Sequence, residues 1–179
     1  MARSALAAGA RIVNDISAGR LDDQLLPAVV EHDCGYVLMH MLGSPETMQI
    51  DPQYVDVVSE VRGFFEEHVE ALRALGVNEQ QIVLDPGIGF GKRLEHNLRL
   101  IADAEKLRVN ELPLLFGVSR KSFLGSLLGR ESEERLNGTT AAHMMLLMQG
   151  VDILRVHDVP AAVDAVKLFL ALREVGGGN

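Results

Sequence analysis

An α/β fold built on a parallel sheet is what the sequence predicts, and three observations predict it. Short runs rich in Val, Ile and Leu alternate strictly with amphipathic stretches, five times over. The short runs are apolar on both faces, as strands buried between layers are. Each run also ends in polar residues beside a turn or a helix start, the way parallel α/β proteins present ligand-binding groups. A doubly wound sheet and part of a (β/α)8 barrel both satisfy the pattern. The 179 residues favour neither, since a complete barrel takes about 250.

The elements follow in order. Ala2 to Ala8 reads as an Ala-rich helix stopped by Gly9. With no strand before it, it leads us to expect further βα units upstream. RIVNDIS, from Arg11, gives a strand ending in Asn14 and Asp15, and Leu21 to His32 has helical spacing. Gly35 opens the strand YVLMHM, which ends at His40 and Met41 before Gly43-Ser44-Pro45. Asp51-Pro52 looks like an N-cap with Pro at the first helical position, opening a helix to about Leu75 closed by Gly76. After a strand ending in Asp85, Asn97 to Leu107 is helical by periodicity, and Pro113 precedes the strand LLFGVS. Ser119-Arg120-Lys121-Ser122 leads into a short apolar helix, and Glu133 to Met148 forms another, closed by Gly150. VDILRVHDV is the last strand, Ala161 to Glu174 the last helix, and the Gly-rich tail reads as frayed. Nothing divides the chain, so residues 1–179 are expected to form one domain.

Composition narrows the function classes. Hydrophobic residues at 47% and charged residues at 23% are ordinary for a globular domain. A net charge of -8 with no Lys/Arg cluster argues against nucleic-acid binding. The single cysteine, Cys34, excludes an internal disulfide and suits a reducing, cytoplasmic setting. The start, MARSALAAGARIV, is too weakly apolar to read as a signal peptide, and no apolar run approaches membrane-spanning length.

The stretch VLDPGIGFGK, Val83 to Lys92, is the focus. By itself it reads equally as a turn with Gly supplying positive φ or as a ligand site. Other strand ends supply Asn14 and Asp15, His40, Ser119 with Arg120 and Lys121, and Arg155 with His157. In a parallel barrel these share one mouth, which favours a shared site. Asp85 and Asn14 suit the N–H/NH2 edge of an amino-pyrimidinone ring, a carboxylate accepting two bonds side by side. Arg155 suits stacking on such a ring while donating to an anion, and Lys121 suits a ring carbonyl or nitrogen. Arg155 and His157 beside the final helix N-terminus suit a phosphate. The set matches a heterocycle carrying phosphate, with no nucleophilic triad.

VNDIS, VLMHMLGSPETMQ, VLDPGIGFGK, GVSRKSFLG and ILRVHDV resemble, in order, the successive motifs of bacterial dihydropteroate synthases, and the resemblance covers essentially the whole chain. It implies a (β/α)8 barrel of the pterin-binding type, here strands four to eight with their helices. It implies condensation of 6-hydroxymethyl-7,8-dihydropterin diphosphate with p-aminobenzoate to 7,8-dihydropteroate, in a family targeted by sulfonamides. Asn14 and Asp85 would bond the pterin ring, Lys121 its carbonyl/N5 side, and Arg155 would cover one face. Met39 or Met41, Phe90 and Gly117 would line the pocket. Arg155 and His157 would hold the diphosphate together with Mg2+, and Ser122 would receive the p-aminobenzoate carboxylate. The catalytic group is thus Asp85, Lys121, Arg155 and His157, with Asp85 stabilising a cationic pterin after diphosphate leaves. A homodimer is the family expectation.

The family's earlier motifs, including an Asn that binds Mg2+, have no counterpart, so no metal ligand is assigned and little or no synthase activity is expected from this chain alone. A barrel lacking three strands would associate through unpaired edges. Among single residues, Asp15 alternates away from Asn14 and suits a structural role. His40 suits a hydrogen-bonded core, and His32, His68, His96 and His143 suit surface or packing. Two other readings stand beside the synthase: a pterin-binding remnant without turnover, and a metal-dependent hydrolase with His40, Asp85 and His157 as ligands.

Overall fold

The computed structural model describes residues 1–177; the last two residues of the Gly-rich tail lie outside them. Five strands, β1 (Ile12–Asp15), β2 (Gly35–Met39), β3 (Ile82–Asp85), β4 (Leu115–Phe116) and β5 (Ile153–Leu154), alternate with helices. The helices are α1 (Ala2–Ala7), α2 (Leu25–Glu31), α3 (Val57–Ala74), α4 (Leu94–Ala102), α5 (Ser122–Leu128), α6 (Leu136–Met148) and α7 (Val159–Val175). β1, β2 and β3 pair in parallel, as do β4 and β5, and a parallel bridge from Leu84 to Leu114 joins the two sets. Each strand therefore lies beside its neighbour in sequence, without the reversal of order that marks a doubly wound sheet. Arg155, just past β5, donates to Asn14 Oδ1 on β1 at 3.1 Å, so the sheet curls until its first and last strands face across one mouth.

The core forms where the pattern demanded burial. Tyr36, Leu38, Ile82, Leu84 and Phe116 of the strands are buried against Val61, Phe65, Val69 and Leu72 of α3. The α3 residues recur every three or four positions and so make one stripe. The start of α3 corrects the sequence reading. Asp51 sits at φ +47, and the helix begins instead behind Asp56, whose carboxylate accepts from Ser59 N–H at 2.8 Å. Glu60 answers by accepting from the Val55 and Asp56 amides, a reciprocal cap stronger than the Pro signal. Pro52 and Tyr54 precede the helix, with Tyr54 Oη donating to Gly91 O at 2.8 Å.

Other boundaries move for related reasons. α4 ends at Ala102 and a 3₁₀ turn, Ala104–Leu107, finishes the expected stretch. α6 begins at Leu136 after a 3₁₀ turn, Ser132–Glu134, and α7 begins at Val159 behind Asp158, one turn residue before Pro160. β4 pairs over only two residues, because Gly117 lets Arg155 cross the backbone and Val118 accepts a turn bond from Lys121 N–H. No helix among the described residues is long and apolar enough to cross a membrane.

Candidate active site

The strand ends converge on Asp85. The carboxylate is fully buried, which is unfavourable unless its oxygens are paired. One oxygen accepts from Gly87 N–H at 2.8 Å and the other from Arg155 Nη1 at 2.9 Å. A carboxylate offers about four lone-pair positions, so two remain to meet a ligand's donors. Arg155 is 40% exposed and shares Nη1 between Asp85 and Asn14. Gly117 makes room for it: a Cβ there would lie 2.6 Å from Arg155 Nη2. The resemblance implied that Gly117 lines the pocket, and its missing Cβ is what seats the guanidinium.

Lys121 approaches from the far side. Its ammonium donates to Ile88 O and lies 4.8 Å from the Phe90 ring centroid. Burial pushes its pKa down to about 8, with Asp85 opposing the shift and Arg155 adding to it. His157 is exposed but pinned, its backbone N–H and Nδ1 lying 3.2 and 3.0 Å from Ser119 Oγ. Ser122 is exposed at the start of α5, beside Lys121. Met39 and Met41 are buried beneath the mouth, with Met39 Cγ 3.4 Å from where a Gly87 Cβ would sit.

Two strand-end residues turn away. Arg120 adopts φ +55 and pairs with Asp158 at the start of α7, Nε to Oδ2 at 2.9 Å. Its amide and carbonyl are held by Thr139 Oγ1 and Arg135 Nη1, so it fixes the turn that aims Lys121. Asp15 is structural, as its alternation implied. Burial works to raise its pKa, but bonds from Ser17, Gly19 and Tyr36 hold it below the usual carboxylate range.

The sequence reading gave no role to Lys92, Asn97, Gln49 or Tyr54, yet all four grip the Gly-rich loop. Asn97 Oδ1 accepts from Gly89 N–H at 2.7 Å, and Gln49 Nε2 donates to Gly89 O at 2.8 Å. Asn97 was detectable as a polar residue at a helix position facing inward; the others carry no local signal.

No group of three or more His, Cys, Asp or Glu among the described residues is placed to hold a metal. Asp85 Oδ2 and Asn14 Oδ1 already receive Arg155, and His40 is enclosed with Lys92. The residues present therefore do not make a resident Mg2+ site, nor the three-ligand hydrolase centre. A cleft of about 430 Å³ between Arg108, Met148, Phe169 and Arg173 lies at the N-terminal ends of β4 and β5, away from these groups.

Comparison with known proteins agrees with the geometry. The family described as "Pterin binding enzyme" matches residues 1–157. Dihydropteroate synthase of Synechocystis sp. is 43% identical over 173 residues, covering 96% of this chain and 60% of that protein. The crystal structure of Yersinia pestis dihydropteroate synthase with a sulfonamide drug superposes with a TM-score of 0.94 at 39% identity, covering 97% of this chain and 63% of that one. The Xanthomonas albilineans enzyme in complex with 7,8-dihydropteroate gives 0.88 at 40% identity, over 96% and 63%. The chain thus spans about 60% of the length of curated relatives such as the Synechocystis enzyme.

Proposed function

The chain belongs to the pterin-binding enzyme family, and from that premise we propose that its strand ends form the pterin-diphosphate site of a dihydropteroate synthase. The observation that carries the proposal is the buried Asp85 carboxylate, with lone pairs free beside Asn14 and the partly exposed Arg155 bonded to it. The X. albilineans relative, which shares this fold at 40% identity, is seen with 7,8-dihydropteroate. In architecture the five units correspond to strands four to eight of an eight-stranded barrel. The sequential strand order and the curl that brings Arg155 to Asn14 support that reading.

In the reaction, Asp85 and Asn14 take the donor edge of the dihydropterin ring, and Lys121 donates to its carbonyl/N5 side. Arg155 swings from Asp85 to cover the ring and, with His157 fixed by Ser119, neutralises the departing diphosphate. The C–O bond of the methylene breaks with its electrons leaving on diphosphate. Asp85 lowers the energy of the resulting ring cation. The amine of p-aminobenzoate, its carboxylate received near Ser122, then bonds to the methylene and releases a proton to solvent. Magnesium enters this reading only as a counter-ion arriving with the diphosphate. A cytoplasmic setting and a homodimer, or association through the β1 edge where Ile12 is 60% exposed, belong to the same proposal.

Turnover as a function of pH tests it. With both substrates present the chain forms 7,8-dihydropteroate, and the rate falls as pH rises above about 8. The sign follows from Lys121: its lowered pKa leaves it charged below that value and neutral above it, where it loses a ring-bound ammonium donor. Saturable pterin binding without product at any pH would instead mark a binding module.

A further inference from the structure

Four successive carbonyls of the Gly-rich loop each accept a bond from a different side chain. Ile88 O accepts from Lys121, Gly89 O from Gln49, Phe90 O from Lys92 and Gly91 O from Tyr54. Lys92 differs from the rest in being buried, at 4% exposure. Its Nζ lies 2.9 Å from His40 Nδ1 and 3.0 Å from Phe90 O. None of the ion pairs among the described residues involves it, although a buried lysine is ordinarily paired with an acid. His40, at the end of β2, packs edge-on against Phe64 at 4.9 Å between centroids and donates its backbone N–H to Asp85 O at 2.9 Å.

We propose that Lys92, seated on the neutral His40 ring, is a positioning residue that holds the 87–91 loop in the shape presenting Phe90 and Lys121 to the pterin ring. Among the described residues, the Phe90 carbonyl has no other donor. Gly87, Gly89 and Gly91 all have positive φ, so glycine's freedom must be restrained by side chains. Asn97 fixes Gly89, and the turn bond from Phe90 N–H to Gly87 O leaves the Phe90 carbonyl to Lys92. The supporting chemistry is consistent. Burial drives His40 down to about 2, with Lys92 and Arg20 adding to the shift. The ring therefore stays neutral, with Nδ1 facing Lys92 Nζ. Burial lowers Lys92 to about 7, Asp85 opposing and Lys121 adding to the shift.

The ligand part of this proposal rests on the pterin reading; the loop part does not. Three variants of the full chain separate them: Lys92→Met, His40→Leu and His40→Asn, the last keeping an acceptor near Nδ1. Amide hydrogen exchange over 87–91, pterin affinity by fluorescence titration and the thermal midpoint are read for each. Lys92→Met and His40→Leu are expected to speed loop exchange and weaken pterin binding, each about tenfold. The midpoint should stay within a few degrees, because relief from burying a cation offsets the lost bonds. His40→Asn should recover most of the loss. Wild-type exchange and affinity in Lys92→Met would overturn the proposal. So would acceleration spread equally through α3 and β2, which marks a merely structural role. If Lys92→Met does not fold, the contrast of His40→Leu with His40→Asn decides on the same terms. If the wild type binds no pterin yet Lys92→Met still loosens the loop, the positioning role stands and the pterin reading falls. If neither effect appears, both fall.

Discussion

Asp85→Asn weakens pterin binding about 100-fold while the chain stays folded. The two halves of that result have separate causes. Asp85 Oδ1 accepts from Gly87 N–H, and an Asn carbonyl oxygen can keep that bond, so the turn survives. Holding the oxygen there aims the new NH2 group at Arg155 Nη1, now 2.9 Å from Oδ2, so donor meets donor. The ring's N–H/NH2 edge loses its paired acceptor at the same time. Losing a charged hydrogen-bond partner in a binding site costs about 2–5 kcal/mol, and tenfold in affinity is about 1.4 kcal/mol. Titration with a fluorescent pterin reads the loss, and far-UV circular dichroism reads the fold.

Gly87→Ala is expected to damage the fold itself. Gly87 has φ +65, and a Cβ there would lie 2.0 Å from His40 O, a backbone atom with no freedom to yield. Either the DPG turn or the end of β2 must move, which costs roughly 3 kcal/mol or more. For a chain of this size that lowers the thermal midpoint by about 10 °C. Gly63 on α3 is the control, since a Cβ there meets nothing within 4 Å and Ala should raise the midpoint slightly. A Gly87→Ala chain as stable as wild type would show that the turn does not hug β2.

These two residues also mark what the sequence made legible. Asp85 by itself read equally as a turn residue, and it became a site candidate only because the other strand ends also close in polar groups. Asn14, Lys121, Arg155 and His157 became candidates by the same logic, repeated strand by strand. In the structure Arg155 bonds both Asn14 and Asp85, and Lys121 lies close enough for the charges of Asp85 and Arg155 to act on it. Arg120 satisfied the same rule and turns away, because a positive φ at one residue reverses direction and nothing in the residue types announces it. Lys92 was invisible for a different reason. A lysine after a Gly-rich run is ordinarily solvated, and only the return of the loop over His40–Leu42 encloses it. The strand and helix bounds shifted where side chains compete for backbone groups, as Asp56 and Glu60 do ahead of α3. Tertiary reach was therefore harder to read than local type.

The central claim is that the strand ends hold a pterin diphosphate with its ring on Asp85. Titration of the chain with 6-hydroxymethyl-7,8-dihydropterin diphosphate, followed residue by residue in amide NMR spectra, tests it most directly. The account predicts one saturable site, with shifts centred on Asn14, Gly87, Gly117, Lys121 and His157. No saturable binding by the folded chain, or shifts centred elsewhere such as the Arg108–Phe169 cleft, would contradict it.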